Sequence, residues 1–230
     1  MAETYTARVH YLLPEAERQF FLSINVPPEV SASHIQPAQF VKMSPPDQKP
    51  VSITIANRPG RERFEFLVKD QGERSHGLVS LNKGDELNIT TPMGPGFPIS
   101  QHKGKDIILG ANGVAVSAVR AVIEEILLAR SDYGKVAFFY GERTGAHFAF
   151  LNEHANWVEG GIQLHLCASR PVEGGTWQGP VGYIQDNIER VAPEVRNTVA
   201  FIVGSDNMMT LCRETLGRMG LPPNEVYLNY

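Results

Sequence analysis

The sequence predicts a two-domain α/β protein, with an antiparallel β-barrel over residues 1–102 and a parallel, doubly wound α/β unit over residues 103–230. Three observations carry this. Six short runs rich in Val, Ile, Phe and Thr crowd the first hundred residues, separated by Pro, Gly and Asp. From Lys105 onward, apolar strand-like runs alternate with segments of helical spacing. The change of period falls in "PISQHKGK", residues 98–105.

The elements follow in order. "TARVHYLL", "RQFFLSINV", "AQFVKMS", "VSITIAN", "RFEFLVKD" and "DELNITT" read as strands, too closely spaced for anything but a small antiparallel barrel or sandwich. Only "SHGLVSLN" has the look of a helical turn or two. In the second half, "KDIILGANG", "KVAFFYG", "IQLHLCAS", "TVAFIVGS" and "EVYLN" read as strands of a parallel sheet. Between them stand the helical segments "VAVSAVRAVIEEILLARSD", "AHFAFLNEHANWV", "VGYIQDNIERV" and "NMMTLCRETLGRMG".

Composition narrows the function classes. At 230 residues, with 42% hydrophobic and 20% charged residues, the chain buries a core without staples. A net charge of −4 with Lys and Arg scattered gives no footprint for nucleic acid or an anionic membrane. The two cysteines, Cys167 and Cys212, lie in apolar runs and read as buried free thiols of a reducing compartment. They are too few for a standard iron–sulfur cluster. The seven histidines show no metal-ligand spacing, although His147 and His154 could share a helix face. "MAETYTARVHYLL" lacks the pattern of a signal peptide and no apolar run is long enough to span a bilayer, so a soluble cytoplasmic or organelle-matrix protein is expected.

The strand ends of the second half carry the chemistry. "ILGANGVAVSAV" places Gly110, Asn112 and Gly113 between a strand and a helix, where backbone can approach a ligand and the helix N-terminus attracts phosphate. "FFYGER" ends a strand at Gly141, and "FIVGSDNMM" ends another at Gly204, with Asp206 or Asn207 able to cap the next helix. In a doubly wound sheet these ends share one edge, where ligands bind. "CASRP" brings Ser169 and Arg170 to that edge, and an Arg there can fork onto a phosphate or stand solvated.

With "GDELNI", "MGPGFPI", "GANGVA" and "VGSDNMM" in this order, the chain resembles the ferredoxin–NADP reductase superfamily, nearest to the electron-transfer flavin subunit of dihydroorotate dehydrogenase and its reductase-like relatives. The resemblance covers nearly the whole chain. It implies a barrel that binds FAD and a second domain that binds NADPH or NADH. Members carry an Arg-x-Tyr-Ser/Thr strand motif, matched here by Lys49, Pro50, Val51 and Ser52. In members the Arg reaches the pyrophosphate, the Tyr stacks on the flavin ring and the hydroxyl contacts its N5. A second motif, Gly-x-x-Ser, cradles the pyrophosphate and reads Gly72, Glu73, Arg74, Ser75 here.

The departures matter. Val51 cannot stack as an aromatic does, and Lys49 loses the two-pronged geometry of Arg. The family's Cys-Gly-Pro reads Val203, Gly204, Ser205, and its proline after the glycine turn reads Val116. A terminal tyrosine in plant-type relatives covers the flavin face, which implies a catalytic place for Tyr230 beside Ser52. A Ser-Arg pair at the third strand end contacts the NADP 2′-phosphate in plant-type members, which makes Ser169 and Arg170 candidates for choosing NADPH. The leading expectation is therefore a flavin-dependent NAD(P)H oxidoreductase passing electrons to an unknown acceptor, possibly a protein. The alternatives are a non-catalytic assembly factor on the same frame and an electron-transfer subunit of a larger complex.

Overall fold

The computed structural model describes residues 3–229. The first half forms a six-stranded antiparallel sheet from β1 (Thr4–Ala16), β2 (Gln19–Asn25), β3 (Phe40–Ser44), β4 (Val51–Thr54), β5 (Arg63–Lys69) and β6 (Glu86–Thr90), in the order β4-β3-β6-β1-β2-β5. Each expected strand is present, because period-2 alternation puts Val9, Leu22, Ile24, Val41, Phe64, Phe66, Leu87 and Ile89 on one buried face. The edge strands β4 and β5 approach each other without a full ladder, so the barrel is open there. Ala56 N–H donates to Glu65 O at 2.7 Å, and the Asn57 side chain brackets the same junction through Arg63 O and the Glu65 N–H. Helix α1 (Pro28–Ala32) has no counterpart in the sequence reading, being a single turn opened by Pro28. Helix α2 (Glu73–Val79) is the expected short one.

The second half is a five-stranded parallel sheet of β7 (Asp106–Asn112), β8 (Val136–Glu142), β9 (Ile162–Ala168), β10 (Thr198–Val203) and β11 (Val226–Asn229), ordered β11-β10-β7-β8-β9. Helices α3 (Val116–Leu128), α4 (Leu151–Glu159), α5 (Ile184–Val191) and α6 (Asp206–Arg218) cover its two faces. One face packs Leu109, Val119, Phe138, Tyr140, Trp157 and Phe201, and the other packs Phe139, Cys167, Ile188, Ile202, Met209 and Cys212. The chain lays down β7, β8 and β9 in one direction and then returns to place β10 on the other side of β7. The topological switch point therefore lies between β7 and β10, where ligands bind in open α/β sheets.

Two helices begin later than their apolar spacing suggests. Phe148 and Phe150 continue the α4 pattern, yet Phe150 takes a left-handed conformation (φ 59°) and its N–H donates to Glu15 Oε1 at 2.6 Å. His147 thus lies in a separate turn, not on the face of α4 with His154. Residues before α5 are held extended by the Ala168–Val181 bridge, and Tyr183 with Asp186 closes a capping box.

The halves share their interior. Ala38, Ala56, Leu67, Phe97 and Ile99 of the first half pack in the same apolar cluster as α3 and the parallel sheet. At its margin sits Arg120 of α3, 7% exposed. Its Nη1 donates to Ala56 O at 2.9 Å and Glu65 Oε2 at 2.8 Å, its Nε to Glu153 Oε1 at 2.9 Å, and its Nη2 lies 3.3 Å from Glu124 Oε1. The guanidinium stands over the rings of Phe21 and Phe150, 5.3 and 5.1 Å from their centroids.

Candidate functional site

Two clefts open at the carboxyl edge of the parallel sheet. The first, about 790 Å³, runs between the halves: Val51–Thr54 and Leu67–Lys69 face Asn112–Ala115, Ser117 and Val203–Ser205, with Gln71–Ser75 at one end. The second, about 520 Å³, lies over the ends of β8 and β9 and is lined by Gly141–Arg143, Ser169, Arg170, Gly182–Gln185 and the start of α6. The clefts share Lys69, Asn112, Gly113 and Ser205. A side cleft of about 700 Å³, lined by Lys49, Arg74 and His76, shares Glu73 and Arg74 with the first. Volumes of this size accept dinucleotide-sized ligands.

The shared wall is built by a side-chain clasp across the switch point. Asn112 Oδ1 accepts from the Ser205 N–H at 3.0 Å, and Asn112 Nδ2 donates to Ser205 Oγ at 3.2 Å. The clasp closes only because residue 204 lacks a Cβ. Gly204 sits at φ +152°, and a Cβ there would overlap Asn112 Oδ1 and Met208 Cε.

The expected site residues divide into three groups. Val51, Ser52, Gly72, Arg74, Ser75, Asn112, Gly113 and Gly204 line the first cleft, and Gly141, Ser169 and Arg170 line the second. Lys49 lines the side cleft. Pro50, Gly110 and Asp206 line none of the three. Gly110 is not in the turn but inside β7, where its missing Cβ makes room for Ile202 Cδ1. The turn itself is the 3₁₀ segment Gly113–Ala115. Asp206 opens α6 behind Ser205, which takes the N-cap position expected for Asp206 or Asn207. Tyr230 lies outside the described residues. Val116 is the first residue of α3, a position that also suits proline.

Local geometry refines several roles. Ser75 Oγ folds back to donate to Gly72 O at 3.0 Å while accepting from the Gln71 N–H, which fixes the turn at the head of α2. Val51 is half-buried against the barrel core and offers the first cleft an aliphatic surface. Glu73 brings a carboxylate between Lys49 and Arg74. Beyond the ends of β8 and β9 the ladder continues, with Ser169 N–H to Glu142 O at 2.9 Å and Arg170 N–H to Arg143 O at 2.8 Å. That pairing sets Arg143 beside Arg170 on one rim of the second cleft.

Lys69, Glu142, Arg143, Ser117 and Ser205 were not legible as site residues, since only the fold brings them to the clefts. Ser117 is buried, and its hydroxyl has no hydrogen-bond partner within the described residues. Burial pushes the Cys167 thiol up to about 11 and the Cys212 thiol up to about 12, so neither is poised as a nucleophile. Among the described residues no group of three His, Cys, Asp or Glu side chains comes together as a metal site needs, and no helix is long and apolar enough to cross a membrane.

The comparisons with known proteins agree with this geometry. Residues 109–214 match the family described as the oxidoreductase NAD-binding domain. The chain is 28% identical over 237 residues to the fruit protein pKIWI502 of Actinidia deliciosa, covering 94% of this chain and 73% of that one. It is 26% identical over 220 residues to the sulfhydrogenase 1 subunit gamma of Pyrococcus furiosus, covering 95% and 75%. Among solved structures, a ferredoxin NADP+ reductase from Neisseria gonorrhoeae with bound FAD and NADP superposes with a TM-score of 0.82 at 15% identity, covering 100% of this chain and 99% of that one.

Proposed function

We propose, from the match of residues 109–214 to the oxidoreductase NAD-binding domain and the likeness in fold to a ferredoxin NADP+ reductase, that the chain is an FAD-dependent NAD(P)H oxidoreductase of the ferredoxin–NADP reductase superfamily, with FAD in the first and side clefts and the nicotinamide nucleotide in the second. The observation that carries this reading is the shared wall. Lys69, Asn112, Gly113 and Ser205 border both clefts, so a ring in each would meet there and nowhere else. The proposal assigns residues 1–102 mainly to the flavin and 103–230 mainly to the nicotinamide nucleotide.

The residues present fit FAD. The glycine turn at Gly72, the cationic groups of Lys49 and Arg74 and the unpartnered Ser117 hydroxyl supply what a diphosphate and a heteroaromatic ring require. Bound FAD supplies acceptance of a hydride and onward release of electrons to an acceptor. The chain contributes alignment and dryness. Val51 and Ser52 line the barrel side of the first cleft and would face the flavin. Gly113 and Gly204 allow the backbone of the opposite wall to come close. Lys69 lines both clefts, so its charge would be available to a phosphate in either.

The weak point for flavin affinity is Val51, which packs against a ring face without stacking. Val51→Tyr should tighten FAD by about three- to tenfold, from an aromatic pair contribution of about 0.5–1.5 kcal/mol. Fluorescence titration of stripped protein with FAD checks it. A purified wild type that carries no flavin and shows no titratable binding would sink the oxidoreductase reading in favour of a binding or assembly factor.

For the choice of nucleotide, Arg143 and Arg170 on one rim with Ser169 between their strands favour NADPH, whose 2′-phosphate is dianionic or nearly so at neutral pH. Glu173 lines neither cleft, and the acidic residue that lines the second is Glu142. Arg170→Ala should raise KM for NADPH by roughly ten- to hundredfold, the value of a charged hydrogen bond of about 1.5–3 kcal/mol, and leave NADH nearly unchanged. Steady-state kinetics with both nucleotides checks it, and equal effects on the two would make Arg170 a solvated surface charge. The likeness to a sulfhydrogenase subunit favours a second reading of the acceptor, in which electrons leave to a partner polypeptide of a larger complex.

A further inference from the structure

One carboxyl in the second cleft has no part in the scheme above. Glu142 is the last residue of β8 and lines the cleft together with Lys69, Arg143, Ser169 and Arg170. It cannot swing away to solvent, because a hydrogen-bond chain holds it. The Ala149 N–H donates to Tyr140 Oη at 3.1 Å, which commits the Tyr140 hydroxyl proton to Glu142 Oε1 at 3.0 Å. Tyr140 is buried in the core, so the chain has no slack.

A dinucleotide brings at least two negative charges along this wall. A fixed carboxylate there repels them, and a fixed neutral carboxyl does not. We propose that Glu142 is a proton-linked residue of the nucleotide site: bound nucleotide favours its neutral carboxyl, so binding takes up protons over the pH range in which the free protein holds Glu142 as the carboxylate and the complex does not. The balance is carboxylate plus nucleotide plus one proton giving carboxyl plus bound nucleotide. This rests on the second cleft being the nicotinamide nucleotide site.

The surroundings set the working range. Burial pushes the Glu142 carboxyl up to about 7, against the lowering effects of the Tyr140 and Arg143 hydrogen bonds and the Lys69 charge. The charged and titratable groups facing it are Tyr140 on its own strand, Arg143 just after it, Lys69 on β5 and Arg170 past β9. Glu15 of β1 acts on Tyr140, whose hydroxyl is pushed well above its ordinary value, chiefly by burial, and stays protonated. Glu142, with its value near neutrality, is the group whose charge changes there. A nucleotide that raises its value further must, by reciprocity, bind more weakly as pH rises past about 7.

The test is the NADP+ dissociation constant of wild type and Glu142→Gln from about pH 6 to about pH 9, a range that brackets the free value. The wild-type constant should rise on the order of tenfold across it, for one further unit of upward shift in the complex. The glutamine variant, isosteric and uncharged, should lack that rise and bind more tightly than wild type at the alkaline end. The 2′-phosphate of the ligand titrates alike in both and cancels in the ratio. Calorimetry of the wild type in two buffers of different ionisation enthalpy should show net proton uptake that is greatest between about pH 7 and about pH 8. Equal pH slopes in the two proteins, or no buffer-dependent heat, would overturn the proposal and leave the nucleotide site standing. Absence of NADP+ and NAD+ binding at every pH would overturn both.

Discussion

Arg120→Met should cost about 3–5 kcal/mol of unfolding free energy, the usual price of stranding buried carboxylates by removing their cation. The guanidinium is the common partner of Glu65, Glu124 and Glu153, each about a quarter exposed or less, and it also satisfies Ala56 O. The methionine replaces the stem and keeps some contact with Phe21 and Phe150, so the loss comes from charge and hydrogen bonds more than from volume. Burial already raises the Glu153 carboxyl above its ordinary value in spite of Arg120. Without the cation that group rises further, so the deficit should narrow as pH falls and the stranded carboxylates take up protons. Urea melts of wild type and variant near neutrality and in mild acid measure both effects. A deficit below about 1 kcal/mol, or one that ignores pH, would show that the cluster behaves like an ordinary surface network. The same variant should loosen FAD, because Arg120 ties β5 and the Ala56 junction to α3, whose first turn walls the first cleft.

Gly204→Ala should slow flavin reduction by NAD(P)H by roughly ten- to hundredfold while leaving the chain folded. A side chain at φ +152° costs about 1–3 kcal/mol, and it can be accommodated only by parting the Asn112–Ser205 clasp. The clasp is part of the wall that both clefts share, and an ångström of displacement there separates the reacting rings. Stopped-flow reduction of the FAD-loaded protein measures the effect, with circular dichroism as the control for folding. Ser205→Ala, which keeps the backbone donor and loses only the hydroxyl, should be far milder. A Gly204→Ala protein reduced at the wild-type rate would mean that the switch point tolerates a wider opening than this geometry implies.

These two positions show where sequence reading stops. Gly204 was visible as a strand-end glycine, and its strand, its helix and its edge of the sheet were all inferred correctly. What the string of residues did not contain was Asn112, ninety-odd positions away, reaching over to occupy the space that a Cβ would need. Arg120 read as one charge on an amphipathic helix. Its partners come from residues 56, 65, 124 and 153, and no local pattern joins them.

The sequence by itself determined the strands, the order of helices in the second half and the place where the period changes, because side-chain alternation and helical spacing are local consequences of backbone geometry. It also carried the family resemblance, through glycine turns whose order along the chain is a local signal, and residues 109–214 match the oxidoreductase NAD-binding domain. Only the tertiary structure decided where α4 and α5 start, since Phe150 is turned out of the helix by Glu15 and residue 181 is captured by Ala168. Only it decided that Gly110 packs inside the sheet, that Lys69 lines both clefts, and that Glu142 is a half-buried carboxyl on a nucleotide-sized one. The physical reason is the same in each case: a cleft's charge, dielectric and free volume are set by atoms that meet across elements, and those meetings have no period along the chain.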